Sequence, residues 1–321
     1  MLKREDFDAG PSSIDLIETG LFLGNVTAAT DKNVLESNKI NRIITVDSCP
    51  LPLKITDLPG IKTLFIQVTD LPQEDLLAHF EETYNFIKHS QDQKNVLLVH
   101  CYFGVSRSAT VVIAFIMKKY GISYQDAFER VKSLRRFVGP NAGFEAQLQL
   151  FERMNCTIDR NNLQYKMYRL KLAAEKVKKV KILPLDCLDV VQPDPSLIRV
   201  SPDPLVYRCC KCRRIIASAA NLMPHIPREK PSWKDAAWPA KVKEQPACMA
   251  TYFVEPMIWM KPALQSEQGK LHCPKCNSKL GSFSWIMGCQ CPCGSKISPA
   301  FYLVPSKVEW SNIVQNVQVT V

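Results

Sequence analysis

The feature that most constrains this chain is the placement of its thiols. Of its 13 cysteines, nine lie between Cys209 and Cys293. They occur as Cys209-Cys210-Lys211-Cys212, Cys273-Pro274-Lys275-Cys276 and Cys289-Gln290-Cys291-Pro292-Cys293-Gly294, with Cys248 alone between the first two groups. Cysteines at i and i+3 form a turn that aims two thiolates at one tetrahedral ion. Cys209/Cys212 and Cys273/Cys276 have this spacing, and Cys291/Cys293 makes a tighter knuckle. With Cys248 and His225, eight donors are available, enough for two closed four-coordinate sites. A closed site leaves no open position for catalysis, so the expected ions are structural zinc. His272 competes with His225 for the histidine role, and Cys210 and Cys289 are spare. Two pairings are open. Cys209, Cys212, His225 and Cys248 could hold one ion and Cys273, Cys276, Cys291 and Cys293 the other, or the two Cys-x2-Cys pairs could share an ion.

All five tryptophans (Trp233, Trp238, Trp259, Trp285, Trp310) also lie in the last third of the 321 residues, which predicts two unlike domains. The 46% apolar and 22% charged fractions exclude a disordered or collagen-like chain. The longest apolar run, Val111–Met117, is far short of the ~20 residues that cross a bilayer. Met1-Leu2-Lys3-Arg4-Glu5-Asp6 is charged and has no apolar signal segment, so disulfides are not expected. The expected organisation is a flexible start at 1–12, an α/β domain at 13–158, a basic helix and Pro-rich linker at 159–204, and a cysteine-rich, β-rich domain at 205–321. The net charge is +10, and Lys166–Lys181 holds seven Lys or Arg against one Glu. This stretch reads as a solvated linker helix docked by one stripe (Leu163, Met167, Leu170, Ala174, Val177), or as a contact to RNA or another polyanion.

In the first half, strands are predicted at Leu21–Gly24, Asn41–Val46, Lys62–Val68 and Asn95–Val99. Helices are predicted at Leu76–Lys88, Ser108–Tyr120, from Ser123, and at Gly143–Met154. In the helix from Ser123, the apolar face is Phe128, Val131 and Leu134. The alternation implies an α/β sandwich with a largely parallel sheet. The densest chemistry is His100-Cys101-Tyr102-Phe103-Gly104-Val105-Ser106-Arg107-Ser108, which links a buried strand to a buried helix. A loop wrapping onto a helix N-terminus turns backbone N–H groups toward one spot, where the helix dipole adds positive potential. Gly104 permits a tight turn, and Arg107 offers a fork for two phosphate oxygens. A free thiol has a pKa of about 8.5, and a helix N-terminus with nearby cations can lower it by several units, so Cys101 is expected to be a nucleophilic thiolate. His100 orients the loop, and Ser108 can hydrogen-bond the sulfur as it leaves. A leaving alkoxide needs a proton, and Asp70 is the candidate donor, with Asp75 and Glu74 as rivals.

His100-Cys101-x-x-Gly104-x-x-Arg107-Ser108 resembles the signature of cysteine-based protein tyrosine phosphatases. Leu21-Phe22-Leu23-Gly24-Asn25, Ala114-Phe115-Ile116-Met117 and Pro140-Asn141-x-Gly143-Phe144-x-x-Gln147-Leu148 resemble their dual-specificity branch, over roughly residues 13–155. The resemblance implies attack on phosphorus by Cys101 to give a phosphocysteine. It also implies that Asp70 first protonates the leaving group and then activates water. Arg107 and the backbone of Tyr102, Phe103, Gly104, Val105 and Ser106 would bind the phosphoryl group, and Asn141 would support the loop. Phosphotyrosine, phosphoserine and phosphothreonine would all reach the pocket. Phosphoinositide phosphatases usually carry basic residues inside this loop, and here there are none. An RNA 5′-triphosphatase has only the net charge in its favour.

Tyr207-Arg208-Cys209-x-x-Cys212-Arg213-Arg214, Tyr252-Phe253-x-Glu255-Pro256-x-x-Trp259-Met260 and Gly269-Lys270-Leu271-x-Cys273-Pro274-Lys275-Cys276 resemble the tail of the zinc-binding dual-specificity phosphatases. Pro299-Ala300-Phe301 continues the match. This resemblance implies two zinc ions, a nuclear and cytoplasmic protein, and a role on pre-60S particles in maturation of the large ribosomal subunit. Two kinds of function follow: a phosphatase acting on phosphoproteins, and a ribosome-assembly binding factor whose catalysis is dispensable.

Overall fold

The computed structural model describes residues 9–197 and 203–312. Residues 1–8 of the expected flexible start, 198–202 of the expected linker (including Pro202), and 313–321 lie outside the described residues. The chain divides into two compact units, Met1–Asp159 and Arg160–Val321.

The first unit is built on β1 (Ile14–Glu18), β2 (Leu21–Gly24), β3 (Ile40–Asp47), β4 (Lys62–Gln67) and β5 (Val96–His100), in the order β1-β2-β5-β3-β4. Only β1 is antiparallel to its neighbour, so the sheet is mostly parallel. Val-Leu-Leu-Val-His in the central β5 is apolar without alternation, as a strand covered on both faces requires. The following helix, Arg107–Tyr120, is buried at every position from Arg107 to Met117 and stops where Gly121 turns left-handed at φ 62°. Ser123 Oγ accepts from Asp126 N to cap the helix Tyr124–Leu134. Its buried face is Tyr124, Ala127 and Val131. Leu134, expected on that face, is exposed at the helix end, and Phe128 is only partly buried.

Asn141 caps the helix Ala142–Arg153, its Oδ1 accepting from Gly143 N and Phe144 N. A Cβ on Gly143 would stand 1.9 Å from the Pro72 carbonyl oxygen, so the segment after Asp70 lies directly against this helix. Strand β1 was not expected, and the short helices Val26–Thr30, Lys32–Ser37 and Leu53–Thr56 had no sequence signal, because none of the helices is long enough to show a period.

In the second unit the helix Leu163–Val180 is part of the core. Leu170, Ala173 and Val177 pack with Leu183, Cys187, Met257, Trp259 and Trp285. The buried stripe therefore runs through Ala173 rather than Ala174, and Leu163 and Met167 are only partly buried. The strands are β6 (Leu205–Cys209), β7 (Ile215–Ser218), β8 (Tyr252–Phe253), β9 (Gln268–His272), β10 (Lys279–Ser284), β11 (Cys289–Gln290), β12 (Lys296–Ile297), β13 (Ala300–Leu303) and β14 (Val308–Asn312). They form three antiparallel sheets, β14-β6-β7, β8-β13-β10-β9 and β11-β12.

Because Gly143 has no room for a side chain, Gly143→Ala should destabilise the first unit by about 1–3 kcal/mol, as overpacking does. Urea unfolding followed by circular dichroism would show the midpoint fall.

Candidate active site and metal centres

The loop between β5 and the helix Arg107–Tyr120 is anchored carbonyl by carbonyl. Val26 N donates to Tyr102 O at 3.1 Å, and Gly139 N to Val105 O at 3.0 Å. Arg135 donates from Nη2 to Phe103 O at 3.3 Å and from Nε to Gly104 O at 2.8 Å. In a trans peptide the N–H points opposite to the carbonyl. Four carbonyls held outward therefore turn the next four N–H groups inward, and the Gly104 N–H donates to Cys101 Sγ at 3.2 Å. Gly104 has φ 71°, and a Cβ there would meet Gly24 O at 2.4 Å. Thus Gly24 and Asn25 of the Leu-Phe-Leu-Gly-Asn motif lie beneath the loop, with Asn25 Oδ1 accepting from Ala28 N and Ser13 N.

Cys101 is buried at the loop's base and accepts a second hydrogen bond, from Ser108 Oγ at 3.1 Å. His100 is fully buried and sets the strand end, with Nε2 2.8 Å from Thr45 Oγ1 and Nδ1 3.3 Å from Cys101 O. Arg107 is buried and ion-paired: Nη1 donates to Asp47 Oδ1 at 2.7 Å and to Val68 O at 3.3 Å. Its Nε is buried with no hydrogen-bond partner, 4.0 Å from Asp70 Oδ2.

Asp70 is exposed, and its Oδ1 accepts from Ser106 Oγ at 2.7 Å and Asn141 Nδ2 at 2.8 Å. Asn141 N in turn donates to Ser106 Oγ. Cys101, Ser106, Arg107, Ser108, Asp70 and Asn141 are thus brought together. The rivals are engaged in local structure: Asp75 Oδ1 accepts from Ala78 N, and the Glu74 carbonyl accepts from Gln147. Two residues were not foreseen, Asp47 and Arg135. Neither had a local signal, since Asp47 meets its partner across 60 residues and Arg135 reaches Gly104 O across 31.

The eight metal-ligand candidates form two quartets, Cys209/Cys212/Cys273/Cys276 and His225/Cys248/Cys291/Cys293, each with its donor atoms within 4.8 Å of one another. Of the two pairings open in the sequence, the structure has the interleaved one, and the arrangement pairing Cys209 and Cys212 with His225 and Cys248 is excluded. His272 is in neither quartet, and Cys210 and Cys289 stand outside both. A tetrahedral ion with metal–sulfur bonds of about 2.3 Å separates its sulfurs by about 3.8 Å. The observed separations are 3.7 Å for Cys209–Cys276, 3.5 Å for Cys212–Cys273 and 3.8 Å for Cys248–Cys291, with His225 Nε2 3.3 Å from Cys293 Sγ.

Proton affinities are uneven within each quartet. Hydrogen bonding from Ser278 draws the Cys276 thiol down to about 6, while burial pushes Cys273 up to about 12. Burial opposes ionisation of Cys293, yet hydrogen bonds from Ser295 hold it at about 5, while burial pushes Cys248 up to about 11. Four adjacent thiolates need a cation between them, and both donor sets fit a tetrahedral metal ion.

The basic stretch is largely neutralised. Lys166 pairs with Glu255 at 2.8 Å, Arg169 with Asp189 at 2.8 Å, Lys176 with Asp186 at 2.5 Å and Lys181 with Glu267 at 2.6 Å. Of its seven cations, Lys171, Lys178 and Lys179 are in no ion pair among the described residues.

A thiol and a buried guanidinium sharing one amide-lined loop at a helix N-terminus, with a carboxylate overhanging it, define a cysteine-dependent phosphatase site. Residues 21–154 match the family described as dual specificity phosphatase, catalytic domain. The chain is 46% identical to dual specificity protein phosphatase MPK-4 of Drosophila melanogaster, covering 100% of this chain and 94% of that protein. It is 36% identical to dual specificity protein phosphatase 12 of Mus musculus, covering 91% and 87% of the two chains. It is also 30% identical to tyrosine-protein phosphatase YVH1 of Saccharomyces cerevisiae, covering 90% and 89%. The chain belongs to the dual specificity protein phosphatases, in the group of phosphatase 12 and YVH1, and is a protein phosphatase.

Asp47→Asn keeps the side-chain shape and removes the charge that holds Arg107. It should lower kcat/KM for p-nitrophenyl phosphate roughly tenfold to a hundredfold, at about 1.4 kcal/mol per decade, in steady-state assays with unchanged circular dichroism.

Proposed function

We propose that the first unit hydrolyses phosphotyrosine and phosphoserine/phosphothreonine in proteins through a phosphocysteine on Cys101. The single observation that carries this is the buried Nε of Arg107, without a hydrogen-bond partner and 4.0 Å from Asp70 Oδ2, beside an amide-lined loop. A phosphoryl oxygen supplies the partner that this group lacks. The Cys101 thiolate attacks phosphorus, the bond to the leaving oxygen breaks, and that oxygen takes the proton of Asp70. Asp70, now a carboxylate, takes a proton from water as the water oxygen attacks phosphorus. The sulfur–phosphorus bond breaks with its electron pair on sulfur, where the Ser108 hydroxyl donates. Ser106 and Asn141 position Asp70 throughout, and His100 holds the strand end from which Cys101 projects. Acid quenching during turnover of labelled substrate should trap label on the wild-type chain and none on Cys101→Ser. Asp70→Ala should lose about 10²–10⁴-fold in kcat with a phenolate-leaving substrate and much less with a fluorinated, better leaving group. Undiminished turnover by Cys101→Ser would overturn the mechanism.

We further propose that zinc fills both quartets, supported by the sulfur spacings and by the all-thiolate and Cys3His donor sets. The zinc unit acts on pre-60S particles in the nucleus and cytoplasm, a reading supported by the phosphatase 12 and YVH1 relatives, which match across both units. Lys178 and Lys179, exposed at the end of the helix, are the cations of Lys166–Lys181 left for RNA there. A second reading makes the chain a binding factor for assembly, with catalysis dispensable. Elemental analysis should find two zinc per chain, and about one in Cys212→Ser and in Cys293→Ser. In cells lacking the protein, rescue of the 60S defect by Cys101→Ser but not by Cys212→Ser would favour the binding factor. Rescue by both would refute any role of the zinc unit in assembly.

A further inference from the structure

The second unit contains a cavity that neither metal quartet uses. Its volume is about 590 Å³, and it is lined by the helix Leu163–Val180, residues of the segment 223–234, β8 and residues of the segment 286–301. The floor is apolar, with Met167, Met223, Phe253, Ile286, Ile297 and Phe301. The mouth is basic. Lys171, Lys230, Lys234 and Lys296 line it, all four are exposed, and the lining includes no Asp or Glu. None of these lysines is in an ion pair among the described residues, whereas Lys166, Arg169 and Lys176 on the same helix are each paired. Among the described residues, the cations thus stand around an apolar opening with no acid in the lining and no ion pair.

These features select among anionic ligands. A fatty acid has the apolar body but a single carboxylate, too little for four lysines carried by three separate segments. A nucleic acid has the charge, but its bases need open aromatic faces or hydrogen-bonding side chains. The aromatic residues of the lining, Trp233, Phe253 and Phe301, are buried, and Ser232 and Ser298 are its only neutral polar side chains. Three methionines, Met167, Met223 and Met287, give the lining the adaptable character suited to an inserted side chain. We propose that this cavity docks an acidic peptide segment of a partner protein, with one bulky apolar side chain in the cavity and flanking Asp or Glu side chains on Lys171, Lys230, Lys234 and Lys296.

The test uses the full, metal-loaded chain and a library of fluorescein-labelled peptides of about a dozen residues. Each peptide carries a single Leu, Met, Phe or Trp among Asp, Glu and Ser. Fluorescence anisotropy should identify members that bind. Their affinity should fall at least tenfold in Lys171→Glu/Lys230→Glu and in Lys234→Glu/Lys296→Glu. It should also fall at least tenfold when the peptide's apolar residue is replaced by Ser. The variants should keep two metal ions and full phosphatase activity, since all four lysines are exposed and remote in sequence from the catalytic loop. Absence of binding by every member would overturn the proposal, as would binding indifferent to the apolar residue or to the lysine reversals. Lysine-dependent binding of dodecanoate or of a single-stranded RNA in place of any peptide would overturn it in favour of those ligands.

Discussion

The site in the first unit depends on one buried cation. Arg107 opens its helix, where the aligned peptide dipoles already place positive potential. Burial and the dipole both oppose a charge there, and a guanidinium cannot escape by losing its proton. Asp47 at the end of β3 and the Val68 carbonyl just after β4 answer one edge of the fork. The other edge, at Nε, is left to whatever enters the loop. The ordering of the sheet follows from this demand. Strand β3 lies between β5, which carries the loop, and β4, which leads to Asp70, so the anion that holds Arg107 and the acid that serves the leaving group arrive on adjacent parallel strands. One charged residue thereby links loop, sheet and acid, and it favours an anionic ligand before any substrate contact is counted.

The second unit meets a different constraint. Its strands are short, from two to six residues, and its sheets have two to four strands. The two-stranded β11-β12, which carries Cys289 and leads into Cys291, gains little stability on its own. The candidate ligands alternate along the chain: first pair of quartet one, first two members of quartet two, second pair of quartet one, second pair of quartet two. An ion in each quartet would thus close a loop that contains ligands of the other, so neither quartet would form as an isolated clip. The Cys-x2-Cys turns are built alike. Arg213 N donates to Cys209 O and Asn277 N to Cys273 O, with Arg213 at φ 64° and Asn277 at φ 57°. Both turns bring their thiols round by the same left-handed step.

What was legible in the sequence is what is local. The β5–loop–helix unit, the cap at Ser123 and the Cys-x2-Cys turns are each encoded within about ten residues, whereas Asn141 was read only as a support of the loop and its capping of Ala142–Arg153 was not foreseen. Asp70 was legible because a strand end preceded it. Asp47 was not, because nothing near Val46-Asp47-Ser48 shows that Arg107, 60 residues away, needs a counter-charge. Arg135 was equally silent, since a guanidinium bonding two carbonyls and pairing with Asp15 looks from its neighbours like any surface arginine. Ligand pairing was unreadable for the same reason, as it depends on which hairpins lie side by side. Strand β1 was hidden by its place at the sheet edge, where Ile-Asp-Leu-Ile-Glu is mostly half-buried or exposed and shows neither an apolar run nor a clean alternation.

Charge shows the same limit most clearly. The sequence concentrates cations in Lys166–Lys181, and a count along the chain makes this stretch the natural polyanion contact. In space, Glu255, Asp189, Asp186 and Glu267 approach it from other segments of the unit and take four of its seven cations. The buried Lys166–Glu255 pair illustrates why. Desolvation pushes the Glu255 carboxyl above its ordinary range despite Lys166, so the pair serves to neutralise a lysine stem drawn into the core rather than to present charge. Cations that remain effective are those the fold leaves without acids, and these come from separate segments: Lys171 from the helix, Lys230 and Lys234 from a loop, Lys296 from β12. A basic surface can therefore be assembled mostly from residues outside any run in the sequence, with Lys171 the one cation the run contributes, while four of the run's seven cations are spent on internal pairing.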